Sequence, residues 1–173
     1  MALAFAGVTQ RVAAQVSVPD SATRAAVRAG KLHPPSAAES RKRRAALVAA
    51  QARWRASGPT QYEYARYMAC FCLTNDAYQT VRIQVLGPDS VAKWDSTGRR
   101  LLMQAPPSHF TMEGVFEEIA RAVEAGAEVV EVRYDSTFGF PASLHLDYMV
   151  LATDDELTMR ISNLHPLTAG EPR

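Results

Sequence analysis

Cys70 and Cys72 are the two cysteines of the chain, with Phe71 between them. Thiols this close offer a local disulfide, a pair for redox exchange, or part of a metal site. In a regular strand their Cα atoms would stand about 6.7 Å apart with near-parallel Cβ bonds, whereas a disulfide wants Cβ atoms about 3.5 to 4.5 Å apart. A bridge therefore requires the strand to break there. Structural zinc wants four ligands, and no histidine lies near these cysteines in sequence. A local bridge, two buried thiols and redox or metal chemistry all stay open on sequence alone.

Ser143, His145 and Asp147 carry the residue types of a nucleophile, a base and an orienting acid. Spaced i, i+2, i+4 on a strand they share a face, but neighbours lie about 6.7 Å apart, too far for a relay of hydrogen bonds of roughly 3 Å. A wet sheet face is the simpler reading. Asp154, Asp155 and Glu156 are three consecutive acids at a strand link, where solvation is the ordinary explanation. No nucleophile elbow, phosphate loop, zinc-protease helix or calcium loop occurs. His33, His109 and His165 stand near prolines in loops or ends and receive no role. No catalytic residue, metal or cofactor is expected.

Arg41-Lys42-Arg43-Arg44 has the charge to contact phosphates. Around it, Ser36 and Glu39 form a capping-box pattern just after Pro34-Pro35, and Gly58-Pro59 marks a stop. The predicted helix spans about 37–56. Leu47, Ala50 and Trp54 then share one face, and the basic residues mostly project into water without interleaved aromatic residues to stack on bases. Nucleic-acid binding is therefore the weaker reading.

These residues sit in an uneven chain. Of the 173 residues, those up to 58 carry 10 Lys or Arg against 2 acids, and those from 59 carry 9 against 16, so the net charge of +1 is +8 added to −7. Thirteen of the 14 aromatic residues follow residue 50, which places the core in the C-terminal two-thirds. Residues 1–33 are read as a flexible tail or degenerate signal segment, with an apolar stretch at Leu3 to Val8 and small residues at Val12 to Ala14. One domain is expected over 34–168, its body at 59–165, with a tail at 169–173. No apolar run approaches the roughly 20 residues of a membrane-spanning helix.

Alternation predicts strands at Gln61 to Cys72, at Val81 to Val85 and at Val91 to Trp94, then at Val129 to Tyr134, Ala142 to Val150 and Glu156 to Leu164. Residues 99–109 read as a connecting loop. Met112, Val115, Phe116, Ile119, Ala122 and Val123 form one apolar stripe of a helix from Thr111 to Ala125, with Thr111 as its cap and Gly126 suited to the left-handed position after it. Short strand links favour antiparallel neighbours. The expected fold is α+β: an antiparallel sheet of about five or six strands with two helices on one face.

Tyr134-Asp135-x-x-x-Gly139-Phe140-Pro141, Leu144-His145-Leu146-Asp147 and Asp154-Asp155-Glu156, with the upstream Tyr62-x-Tyr64 and Cys70-Phe71-Cys72, resemble the bacterial family called domain of unknown function 6174. The likeness runs from about Trp54 to Leu164. It implies a small exported or lipoprotein-like protein in an oxidising envelope or extracellular setting, and it implies no chemistry. Physically, Asp135 to Pro141 reads as a tight link: an Asx-turn at Asp135, positive φ at Gly139, and Pro141 at a strand start.

The working expectation is a non-enzymatic, exported binding module, periplasmic or extracellular. Its open sheet face, carrying Arg82, Glu131, Arg133, His145, Asp147 and Arg160, meets a protein or envelope partner. A redox protein or enzyme using Cys70 and Cys72, and nucleic-acid binding through the basic helix, are the alternatives.

Overall fold

A computed structural model of the chain describes residues 32–72, 74–152 and 154–167. The segments around Leu3 and Val12 and the tail from 169 lie outside the described residues.

Helix α1 (Ala37–Ser57) opens on the reciprocal cap that its sequence predicts. Ser36 Oγ accepts from the Glu39 amide at 3.2 Å, and Glu39 Oε2 accepts from the Ser36 amide at 2.8 Å. Leu47, Ala50 and Trp54 are its buried residues. Arg41, Lys42 and Arg44 face water, whereas Arg43 reaches across to the carbonyls of Ala127 (2.8 Å) and Glu128 (3.1 Å). One member of the basic run is thus a structural clasp.

Six strands follow: β1 (Tyr62–Cys70), β2 (Thr80–Gly87), β3 (Ser90–Trp94), β4 (Val129–Tyr134), β5 (Pro141–Asp147) and β6 (Glu156–Pro166). They form one sheet in the order β3-β2-β1-β6-β5-β4, antiparallel at every step. Two three-stranded meanders therefore meet at the central β1–β6 pair. Helix α2 (Met112–Glu124) joins them, capped by Thr111 Oγ1, which accepts from the Gly114 amide at 3.2 Å. Its stripe, Met112 to Val123, packs with Tyr62, Tyr64, Ile83, Leu144 and Leu146 into one core on the helix side of the sheet. The protein is α+β, with a six-stranded antiparallel sheet and two helices.

Local departures from the sequence expectations have local causes. Strand β1 stops at Cys70, and β5 runs from Pro141 to Asp147, shorter than expected at its far end; β6 continues to Pro166. The expected loop of 99–109 contains a 3-10 turn, Pro107–Phe110. That turn lies on the first turn of α2 at Gly114, where an added Cβ would collide with the Ser108 carbonyl. Past α2, Gly126 takes positive φ (62°), as its position predicts.

Candidate functional site

The inward side chains of β1 alternate as Tyr62, Tyr64, Arg66 and Met68. The two tyrosines satisfy backbone groups at the entrance to α2. Tyr62 Oη accepts from the Met112 amide at 2.8 Å, and Tyr64 Oη donates to the Phe110 carbonyl at 2.5 Å. Burial raises both phenols, Tyr64 to about 12. Trp54 meets Tyr62 edge-on at 5.3 Å between ring centres and donates from Nε1 to Glu113 Oε1 at 2.8 Å. The family residues Tyr62 and Tyr64 therefore tie the sheet to both helices.

One step further along, Arg66 is a buried cation. After β1 the chain folds back, the Tyr78 amide donating to the Met68 carbonyl at 2.7 Å, and this brings Asp76 beneath the sheet. Arg66 pairs with Asp76 Oδ2, and Lys93 Nζ from β3 reaches the same oxygen at 3.1 Å. Lys93 also donates to Asn75 Oδ1 at 2.9 Å. Arg66, Asp76 and Lys93 are 3%, 2% and 0% exposed, and both cations lie against the Phe110 ring, at 4.7 and 5.1 Å from its centre. Burial works to raise the Asp76 carboxyl, but Arg66 and Lys93 more than offset it and leave it below the usual range. Lys93 is lowered, first by burial and further by Arg66. This is the signature of two cations sharing one anion.

Cys70 and Cys72 are joined by a disulfide with 5.2 Å between Cα atoms, closer than the pitch of an extended strand. Strand β1 ends there, and Phe71, between the two, is turned out to solvent. The bridge and the Arg66, Asp76 and Lys93 cluster line the same cavity of about 310 Å³.

The segment Asp135 to Pro141 is a turn held by its own residues. Asp135 Oδ1 accepts from the amides of Thr137 (2.9 Å) and Phe138 (2.7 Å), and Gly139 takes φ +84°. Phe140 is buried, and Pro141 opens β5 opposite Tyr134. These family residues build structure around the α1 contact.

On the opposite side of the sheet lies a face that no described element covers. Register aligns Arg133, Ser143, Arg160 and Tyr67 across four strands, and Glu131, His145, Thr158 and Ala69 in the next row. Arg82 is engaged, bonding Glu63 Oε2 at 3.0 Å and stacking over Trp94 at 4.4 Å. His145 Nδ1 lies 3.1 Å from Thr158 Oγ1, so its ring is committed across the sheet and no Ser143, His145 and Asp147 relay forms. Arg133 and Arg160 flank Ser143 on either side, exposed and without a hydrogen bond or ion pair among the described residues. Between them runs a shallow depression of about 570 Å³.

Asp147 corrects the expectation of a uniformly wet face. Although it follows the outward alternation of β5, it is 6% exposed and its Oδ1 has no partner among the described residues. The strand end sits beside the link to β6, so burial, then Asp155 and Glu156, push its carboxyl above the usual range. No group of three or more metal-ligating side chains forms among the described residues, and no described helix is long and apolar enough to cross a membrane.

Sequence reasoning missed the buried Arg66, Asp76 and Lys93 cluster. The signal was present, because Arg66 follows Tyr62 and Tyr64 in the inward alternation, where a charge demands a buried partner.

No curated protein and no solved structure is found to match the chain. The sequence model of a family described as "Family of unknown function (DUF6174)" matches residues 46–166, which include the tyrosine pair, the disulfide and the Asp135 to Pro141 turn. The chain belongs to the DUF6174 family.

Proposed function

We propose that this protein is a non-enzymatic binding module of an oxidising, extracytoplasmic compartment, and that the uncovered sheet face is its working surface. The observation that carries the reading is the pair Arg133 and Arg160. Two guanidinium groups without a partner among the described residues, on strands about 9.5 Å apart, flank a polar depression on the sheet. Arginine forks match carboxylates in planar, bidentate geometry, so the partner is a protein segment presenting acidic side chains.

The compartment is supported by the Cys70–Cys72 bridge, since disulfides persist where thiols are not kept reduced. A binding role is supported by three of the polar family residues: Tyr62, Tyr64 and Asp135 spend their polar atoms on backbone groups. The test is an NMR titration of the bridged chain with a glutamate-rich peptide. Shifts centred on 131–133, 143–145 and 158–160 are expected. Shifts centred on Arg41 to Arg44 would overturn the reading in favour of the basic helix.

A further inference from the structure

The two edges of the sheet are finished differently. On β3 the chain's own return occupies the edge: the Leu101 amide donates to the Lys93 carbonyl at 2.8 Å, Trp94 bridges Arg100, and Lys93 itself points a charge inward. Such devices keep an edge from pairing with another chain. Strand β4 ends the strand order at the other side and carries none of them. It is β-branched at Val129, Val130 and Val132, and among the described residues no hydrogen bond from another element reaches its outer side. Arg43 and Arg53 of α1 stop just beyond its ends, at the carbonyls of Ala127, Glu128 and Asp135.

An unguarded edge takes a further strand through its free N–H and C=O groups, and the side chains decide which strand fits. Glu131 and Arg133 are exposed on the open side of β4. Val130, Val132 and Tyr134 are half-buried on the helix side, beside a groove of about 260 Å³ between β4 and α1. Two copies of β4 can pair antiparallel about a two-fold axis, and three such registers keep the middle of the strand paired. Centred on Glu131, two glutamates oppose each other. Centred on Arg133, two arginines oppose each other and Glu131 meets Asp135. Centred on Val132, each Glu131 meets the Arg133 of the other copy, and each Val130 meets the other copy's Tyr134. Opposite charges and aromatic–β-branched pairs stabilise cross-strand neighbours, and like charges destabilise them. One register is therefore complementary on both faces.

We infer that β4 is a self-association edge, on which a second copy of this chain pairs along 130–134 about a two-fold axis at Val132. The two six-stranded sheets then join into one, with both open faces on the same side. The second copy's Glu131 meets Arg133 from the seam, while Ser143 lies on the other side of that arginine, on β5. The inference thus goes beyond the reading of the open face and does not rest on it.

The test is sedimentation equilibrium of the full chain with its bridge intact, over a wide range of concentration. The parent should show a reversible equilibrium between monomer and dimer. Glu131→Arg alone, or Arg133→Glu alone, makes both charged pairs repulsive and should weaken the dimer by about tenfold or more, in chains that still melt cooperatively. An equal mixture of the two variants restores opposite charges at both pairs and should recover the affinity of the parent, which a folding defect would not allow. The chain with both exchanges should also dimerise like the parent. Arg160→Glu should leave the dimer unchanged, which separates this edge from the open face. A parent that is monomeric throughout would overturn the inference and leave the edge to a strand of another protein. Single variants that dimerise like the parent, or a mixture that stays monomeric, would overturn it as well.

Discussion

Gly139 lies against the carbonyl of Ala50: a Cβ added to it would stand 2.6 Å from that oxygen and 2.9 Å from Arg53 Cβ. The turn between β4 and β5 therefore has to be glycine twice over, for its φ of +84° and for the approach of α1. Gly98 has nearly the same φ, +83°, with nothing near the missing Cβ. Gly98→Ala should accordingly cost about 1 kcal/mol and Gly139→Ala about 2 kcal/mol or more, the excess being the collision. Urea denaturation of the two variants checks the difference, and equal losses would contradict the packing argument.

Tyr64→Phe should destabilise by about 1 to 3 kcal/mol, because it strands the Phe110 carbonyl in the core. Tyr62→Phe should do the same through the Met112 amide. Tyr67→Phe, on the other side of β1, should change stability by less than about 0.5 kcal/mol. A Tyr64→Phe chain as stable as the Tyr67→Phe chain would show that the link between sheet and helix contributes little.

Asp76 is the shared anion of its cluster, so the two ends of the ion pairs should respond unequally. Asp76→Asn leaves two cations facing each other in the core and should cost about 3 to 5 kcal/mol, whereas Lys93→Met removes the surplus charge and should cost far less. Because the Asp76 carboxyl is lowered in the folded chain, its contribution is present above the ordinary aspartate range and is lost as pH falls through the lowered value. Thermal melts of both variants at neutral pH give the comparison.

Asp147 should behave in the opposite sense. Its carboxyl is raised by burial, Asp155 and Glu156, so the folded state holds that proton more tightly than the unfolded state. The associated stabilisation is complete below the ordinary aspartate value of about 3.9 and is lost as pH rises through the raised one. Asp147→Asn should therefore equal or exceed the parent in stability at pH 7, with the gap closing in acid and no effect of chelator. A variant less stable than the parent at pH 7 would contradict this.

Elements that satisfy themselves locally were legible in the sequence. Ser36 and Glu39, Thr111 and the stripe behind it, and Asp135 with Gly139 make their contacts within one turn or one helix face, so spacing alone identifies them. Long-range contacts were not. Lys93 is buried because β3 pairs with β2 opposite Ile83 and thereby points at Asp76, which is 17 positions away in sequence. Asp147 fails the alternation rule because the link to β6 shields it, a matter of loop path that a period of two does not encode. Of the candidate binding residues, alternation placed Arg82, Glu131, Arg133, His145 and Arg160 on one face, but only register showed that Arg133 and Arg160 flank Ser143.

Binding of acidic protein segments through Arg133 and Arg160 is the proposed work of the uncovered face. A charge swap tests it: the Arg133→Glu and Arg160→Glu double variant and the parent are each titrated calorimetrically with a glutamate-rich and a lysine-rich peptide. The parent should prefer the glutamate-rich peptide, and the double variant should lose at least tenfold of that affinity and gain affinity for the lysine-rich one. Unchanged binding of the glutamate-rich peptide by the double variant would contradict it.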